Sequence, residues 1–494
     1  MPKHDASRIP VLASVGQSIE RSEIVTSTDL ATRAARAAFD LAPRLADRVD
    51  QLTAVAVSFS PILTAPASAV AKQLGLENTR CEVTTPGGHS PQWAVTRAAA
   101  AIAAGELTAT LIVGAEATRS MRAGDSGADF LSALGRKEEN EATPDPEVGV
   151  STQGMVSDAE REGGLRRAAE VYPLFENALA RAAGRSPAEQ RTHLGRVLAP
   201  FTQVAARNPY AWFPATLDAA QISTPTQDNR ITAEPYTKRM NSFPNVDFGS
   251  ALFVCSLAAA REAGAASDCI YIWGGASNSD GPPSSRRNLG ESRAIRAASG
   301  AMFANADIGS DDIAAFDLYS AFPSAFQVAA AEVGIDSLDP RGLTVTGGMS
   351  FFGGPGNNYS SHGIASMFDT LREKGGLGLV SANGGYLSKH SLGLYGTTPP
   401  PMGFREADTR AAQERIDADA LPIVREASGE ATVAGSTVVY ARDGSVERAP
   451  VVATLDDGRR VFAHAEESLL PELAGLNLLD RKIRVRGSPS RYTL

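Results

Sequence analysis

Gly347-Gly348-Met349-Ser350-Phe351-Phe352-Gly353-Gly354-Pro355-Gly356-Asn357-Asn358-Tyr359-Ser360-Ser361-His362 is the stretch on which the fold of this chain turns. A glycine-rich turn leads into a helix-like segment over 359–371. That segment is followed by Gly376-Leu377-Gly378-Leu379-Val380, a strand pattern entering Ser381-Ala382-Asn383-Gly384-Gly385. The same order occurs earlier: Gly87-Gly88-His89-Ser90-Pro91-Gln92, a helical segment to Ala104, then the strand-like Leu111-Ile112-Val113-Gly114-Ala115 and Glu116. Two similar α/β halves are the simplest account of the repeat.

Periodicity extends this alternation over roughly the first four hundred residues. Residues 52–57 read as a buried strand, and 66–74 as a short helix opened by Pro66. Residues 91–104 are apolar nearly all round and rich in alanine, as expected of an internal helix lying close between two layers. Ser90 and Pro91 fit the N-cap and first helical positions.

Composition sets outer bounds. The 494 residues suffice for two or three domains, and 43% hydrophobic with 21% charged residues is ordinary for a globular protein. No run approaches the roughly 18 apolar residues of a membrane span. Met1-Pro2-Lys3-His4-Asp5-Ala6-Ser7-Arg8 lacks the apolar centre of a signal peptide, so a cytoplasmic location is the default expectation. Cys81, Cys255 and Cys269 form no disulfide framework and lack metal-ligand spacing. A net charge of -9 argues against broad nucleic-acid or membrane affinity, and no Walker or dinucleotide fingerprint is present.

Five segments in this order resemble the thiolase superfamily, most closely its thiolase-like proteins of type 1, acetyl-CoA acetyltransferase-like with an added C-terminal domain. They are Gly87 to Gln92, Asn208-Pro209-Tyr210-Ala211-Trp212, Asp317-Leu318-Tyr319-Ser320-Ala321-Phe322-Pro323, Gly353 to Tyr359, and Asn383-Gly384-Gly385-Tyr386-Leu387-Ser388-Lys389-His390. The resemblance implies an α/β fold of two βαβαβαββ halves with central helices between sheets. It places the N-terminal half at 1–262, with an inserted loop domain at about 119–246, and the C-terminal half at 263–402. It also implies acyl-CoA substrates, with a coenzyme A thioester as substrate and no bound cofactor.

The family's catalytic groups are missing at the matching positions. The nucleophilic cysteine falls at Gly88, the water-holding asparagine motif at Tyr319-Ser320-Ala321-Phe322, the basic histidine at Gly354, and the second cysteine at Ala382 or Asn383. A covalent thiolase mechanism is therefore not expected. Tyr319, Tyr359, His89, His362, His390 and Asn383 are the candidates for chemistry without a covalent intermediate, such as carbon-carbon cleavage or a Claisen-type reaction. Each has a bland reading too: His89 as a turn residue, His362 satisfying a buried polar group one helical turn from Tyr359, the tyrosines as packing residues.

The 119–242 region is loop-rich, with a solvated charge run at 136–141. By the resemblance it would grip coenzyme A, for which Arg207, Arg230, Lys238 and Arg239 are available; Arg207, Lys238 and Arg239 are the preferred candidates. After Pro399-Pro400-Pro401 the charged segment 405–415 reads as a linker, and 403–494 as linker plus a small β-domain. Asp443-Gly444 and Asp457-Gly458 beside strand-like runs signal hairpins. The tail resembles an OB-like barrel, whose Lys482, Arg484 and Arg486 alternate with Ile483 and Val485 as in any half-buried strand. The expected partner is an acyl-CoA molecule, with no membrane, no nucleic acid and either a monomer or a homodimer. A non-catalytic acyl-CoA or lipid scaffold protein is the alternative to an enzyme.

Overall fold

The computed structural model describes residues 5–123, 143–150, 156–163, 165 and 167–494; the charge run at 136–141 lies outside them. In the first half, Gln51–Ala54 pairs in parallel with Arg80–Thr84 and Ala109–Ala117. The latter continues antiparallel to Asp247–Ser256, which pairs with Pro10–Ile19. The second half orders Ile270–Ser279, Lys389–Gly396, Leu377–Gly384 and Ile313–Asp317 side by side. A two-residue bridge, Val11 with Tyr271 and Leu12 with Ile270, joins the halves.

The helices Ser90–Ala104 and Tyr359–Lys374 share one buried core with residues from both halves. Close approach depends on absent side chains. A Cβ on Gly393 would stand 2.3 Å from the Gln92 amide, one on Gly275 2.3 Å from Thr96, and one on Gly378 2.3 Å from Met367 Sδ. The small-residue helix expected between layers is thus seated on strand glycines.

The start of the Ser90–Ala104 helix differs from the sequence expectation. His89 is the N-cap, Ser90 is already helical, and the Ser90 hydroxyl donates to the Thr85 carbonyl at 2.7 Å. Ser90 ties the helix to the preceding turn instead of capping it. The helix Pro66–Leu74 occupies the expected residues and ends at Gly75 in the left-handed region, φ +74°.

The segment after the proline run is ordered against the sheet, not left as a bare linker. Arg405–Glu406 adds in parallel to Ile270–Ser279, and the helix Arg410–Ala418 follows. The carbonyl of Arg405 comes to 2.9 Å from where a Gly274 Cβ would be, so glycine there permits the pairing. The tail then forms a closed five-strand barrel of Gly429–Ser436, Pro450–Leu455, Arg460–Ala465, Lys482–Arg486 and Arg491–Thr493. Its own core includes Val433, Val451, Val461, Ile483, Val485 and Tyr492.

This barrel is pinned to the inserted region. Val439 pairs with Ala233, and Asn177 Nδ2 donates at 2.9 Å to the carbonyls of both Glu234 and Ser436. Arg448 forms an ion pair with the buried Glu170. Among the described residues no helix is long and apolar enough to cross a membrane.

Candidate functional site

Gly88 marks the point where the motif-bearing loops converge. It lies in the turn between Arg80–Thr84 and the first central helix. A Cβ there would be 2.2 Å from the Tyr319 hydroxyl and 2.5 Å from the Asn383 carbonyl. The tyrosine thus fills the space in which a side chain at position 88 would begin. Tyr319 follows the strand Ile313–Asp317, donates its backbone N–H to Ser381 Oγ at 2.9 Å, and meets Tyr359 edge-on with ring centroids 5.4 Å apart. Burial, and then the nearby Tyr172, push its phenol well above the ordinary tyrosine range. Gly354 is similarly hemmed in: a Cβ would stand 2.2 Å from Ser242 Oγ.

His89 lies on the inner face of the second-half strands. Gly384 would place a Cβ 2.4 Å from His89 Nδ1, and that buried nitrogen has no hydrogen-bond partner. Burial, with Lys389 and His390 adding positive charge nearby, lowers the His89 pKa to about 3. The imidazole is therefore neutral near pH 7. Neighbouring strand residues point to opposite faces, and Asn383 accordingly turns away, donating Nδ2 to the Tyr172 hydroxyl at 2.9 Å. Its Oδ1 is buried and unpaired. His390 sits opposite both Asn383 and Asn278 in register; its Nε2 lies 3.1 Å from the Leu387 carbonyl and 3.4 Å from Asp280 Oδ2.

Tyr359 and His362 belong to other networks. Tyr359 shares hydrogen bonds with Thr346 Oγ1 at 2.6 Å and Ser320 Oγ at 3.3 Å. Thr346 and Thr344 in turn donate to Asp317 Oδ1, while burial raises the Asp317 pKa to about 6. His362 is 0% exposed; its Nδ1 is 2.7 Å from Gln17 Oε1 and its Nε2 3.4 Å from Asn358 Nδ2. The amide oxygen accepts, so Nδ1 carries the hydrogen and Nε2 accepts from Asn358. Burial lowers this imidazole to about 3. The structure therefore brings Tyr319 to Tyr359 and Asn383 to His390, but sets His89 across the sheet and gives His362 an internal partner at each nitrogen.

No family model matches the chain, and no curated protein matches it. Among solved structures, a crystal structure of a monomeric SCP2-thiolase-like protein type 1 from Mycobacterium smegmatis superposes with a TM-score of 0.84 at 32% identity, covering 99% of both chains. The chain belongs to the SCP2-thiolase-like protein type 1 family. The Ltp2-ChsH2(DUF35) aldolase superposes with a TM-score of 0.59 at 20% identity, over 79% of this chain and 98% of that one, a likeness of fold.

In this thiolase-like protein several residues that organise the site were not singled out as site residues in the sequence. Glu116 accepts hydrogen bonds from the backbone of Ser58, Phe59 and Ser60 and from the Ser60 hydroxyl. It also lies 2.4 Å from where a Gly356 Cβ would be, so glycine at 356 lets that loop approach the carboxylate that holds residues 58–60. Tyr172 stacks on Phe322 at 4.6 Å and meets Asn383. Arg286, packed over Phe175, donates to the Tyr386 and Leu387 carbonyls. No spacing pattern marks these residues, because each contact crosses many positions of the chain. Arg207 and Lys238 are exposed, while Arg239 donates to the Gln221 carbonyl at 2.6 Å. Among the described residues no group of three or more metal-ligating side chains converges.

Proposed function

We propose that this family member is a non-catalytic acyl-CoA-binding protein in which the thiolase reaction centre has become packed interior. The observation that carries this reading is the Tyr319 hydroxyl standing 2.2 Å from the Gly88 Cβ position. A nucleophile at that place would need both a thiol and the space for it, and neither is present. The neutral, buried state of His89 and His362 supports the same reading, since neither offers an exposed base.

Family kinship supports a coenzyme A thioester as the ligand, with the exposed Arg207 and Lys238, together with Arg239, meeting its phosphates. The monomeric state of the Mycobacterium smegmatis relative supports a monomer. The OB-like tail barrel serves this reading as a surface for a protein partner. Lys482 and Arg486 on its basic strand pair with Glu430 and Glu466, which weakens any attraction for nucleic acid.

A second reading, a carbon-carbon lyase without a covalent intermediate, is favoured by the unpaired His89 Nδ1 and Asn383 Oδ1, two polar atoms available to a substrate if the loops part. Calorimetric titration with coenzyme A and acyl-CoAs, alongside an assay for released thiol and cleaved product, separates the readings. Binding in the micromolar range without turnover is expected, with roughly tenfold weaker binding for Arg207→Ala/Lys238→Ala, one factor of ten being about 1.4 kcal/mol. No heat at high ligand concentration overturns the acyl-CoA assignment. Cleavage that disappears in His89→Gln supports the lyase.

A further inference from the structure

A cavity of about 340 Å³ opens at the carboxyl ends of the first-half strands. Its floor includes Ala54, Val83, Val113 and Ala115, and its walls include Ala31 and Val70 from the helices Ser27–Leu41 and Pro66–Leu74. In the sheet, Gln51–Ala54 lies between Arg80–Thr84 and Ala109–Ala117. The chain leaves Gln51–Ala54 toward Arg80–Thr84 on one side, and leaves Ala109–Ala117 toward Asp247–Ser256 on the other. The cavity therefore sits where the connections diverge, the place at which open α/β sheets bind ligands.

The volume is at the lower end of small-molecule pockets and roughly twice that of an engineered cavity that holds benzene. Alanines at 31, 54, 56 and 115 help create the room. At the mouth Ile62 is 87% exposed, an apolar side chain offered to solvent beside an apolar hollow. The charged residues among the described lining are both acidic, Asp145 and Glu147. Asp145 is fixed there by capping the Pro66–Leu74 helix, accepting from the backbone of Ala67 and Ser68. A carboxylate or phosphate would meet two negative charges without a basic partner in that lining.

We propose that this cavity binds an uncharged lipid-like molecule. The proposal is independent of the acyl-CoA reading, so failure of either leaves the other standing. The test is titration of the full chain with the neutral fluorophore N-phenyl-1-naphthylamine, followed by competition with decanol and decanoate. One saturable site is expected, displaced by decanol at least tenfold more effectively than by decanoate. Val57→Trp, filling the half-buried rim, should weaken the probe at least tenfold. Ile62→Asp, at a position exposed enough to leave folding intact, should weaken it about threefold. The proposal is overturned by an unsaturable signal, by Val57→Trp binding like the parent, or by decanoate competing as well as decanol. A dimer in sedimentation that Ile62→Asp dissociates would also overturn it, by showing a second copy as the cover.

Discussion

The two central helices begin in glycine-led turns of similar appearance, but their surroundings differ. Before the helix Tyr359–Lys374, Asn357 donates to the Ala56 carbonyl, Asn358 accepts from Ser250 and faces His362, and His362 reaches Gln17. Before the helix Ser90–Ala104, Gly88 is packed against Tyr319 and the Asn383 backbone, and His89 Nδ1 has no partner. The first junction pairs its amide and imidazole side chains; the second, although Ser90 Oγ donates to the Thr85 carbonyl and Ser360 Oγ to the Gly88 carbonyl, is fitted by shape around Gly88 and leaves the His89 nitrogen unpaired. A buried polar group that is paired is costly to remove, whereas one already unpaired gives up little when it goes.

The largest effect should come from breaking the paired junction. His362→Ala removes a fully buried ring from between Phe248 and Phe352 and strands Gln17 and Asn358. About 4 kcal/mol of destabilisation in urea unfolding is expected. His89→Ala should cost about 1 kcal/mol, because the lost packing is partly offset by removing an unpaired nitrogen. Equal losses at the two positions would erase the distinction.

The same histidine gives a pH signature. Its folded pKa of about 3 lies below the ordinary value of 6.5, so between these limits the unfolded chain binds the proton and the native protein does not. Its neutral-state contribution is therefore present above about pH 6.5 and is lost as pH falls toward 3. Asp317, raised to about 6, has the opposite sign: its contribution is present at low pH and is lost as pH rises through 6. A difference measurement isolates the histidine. The stability gap between parent and His362→Gln should shrink by about 2 kcal/mol between pH 6.5 and 4.5; a gap independent of pH would mean that the buried ring is charged.

The contrast also shows which features could be read from sequence. The Pro66–Leu74 helix was legible because proline and glycine punctuate it locally. The Lys482–Arg486 strand was legible because its exposed and buried residues alternate. The absence of a thiol at Gly88 could be read from one aligned glycine, but the reason it matters could not. The phenol that occupies the space belongs to Tyr319, brought there by the strand Ile313–Asp317. Likewise His362 was placed one turn from Tyr359, yet its nearest polar partner, Gln17, lies 345 positions away. Periodicity reports which face of an element is buried; it is silent about which polar atom on another element waits there.

A smaller effect tests packing at the shape-held junction. Gly88→Ala needs no unusual backbone angle but drives a methyl group into the Tyr319 hydroxyl and the Asn383 carbonyl. About 2 kcal/mol of destabilisation is expected. Tyr319→Leu in the same chain should recover only part of it, since the carbonyl at 2.5 Å is backbone and stays. A coupling energy near zero in the double-mutant cycle would show that the phenol already moves aside.

Gly354→Ala should have the smallest effect, although its nearest contact is the same 2.2 Å. Here the obstructing atom is Ser242 Oγ, the end of a short side chain that can rotate, and the next atoms, Met349 Cε at 3.3 Å and the Phe243 carbonyl at 3.5 Å, need little adjustment. A loss below about 1 kcal/mol is expected, abolished by adding Ser242→Gly. Equal distances thus predict unequal costs, because a side-chain oxygen gives way where a ring and a carbonyl do not. If Gly354→Ala proves as damaging as Gly88→Ala, the turn before Tyr359 is as tightly filled as the turn before Ser90, and hydrogen bonding alone no longer distinguishes them.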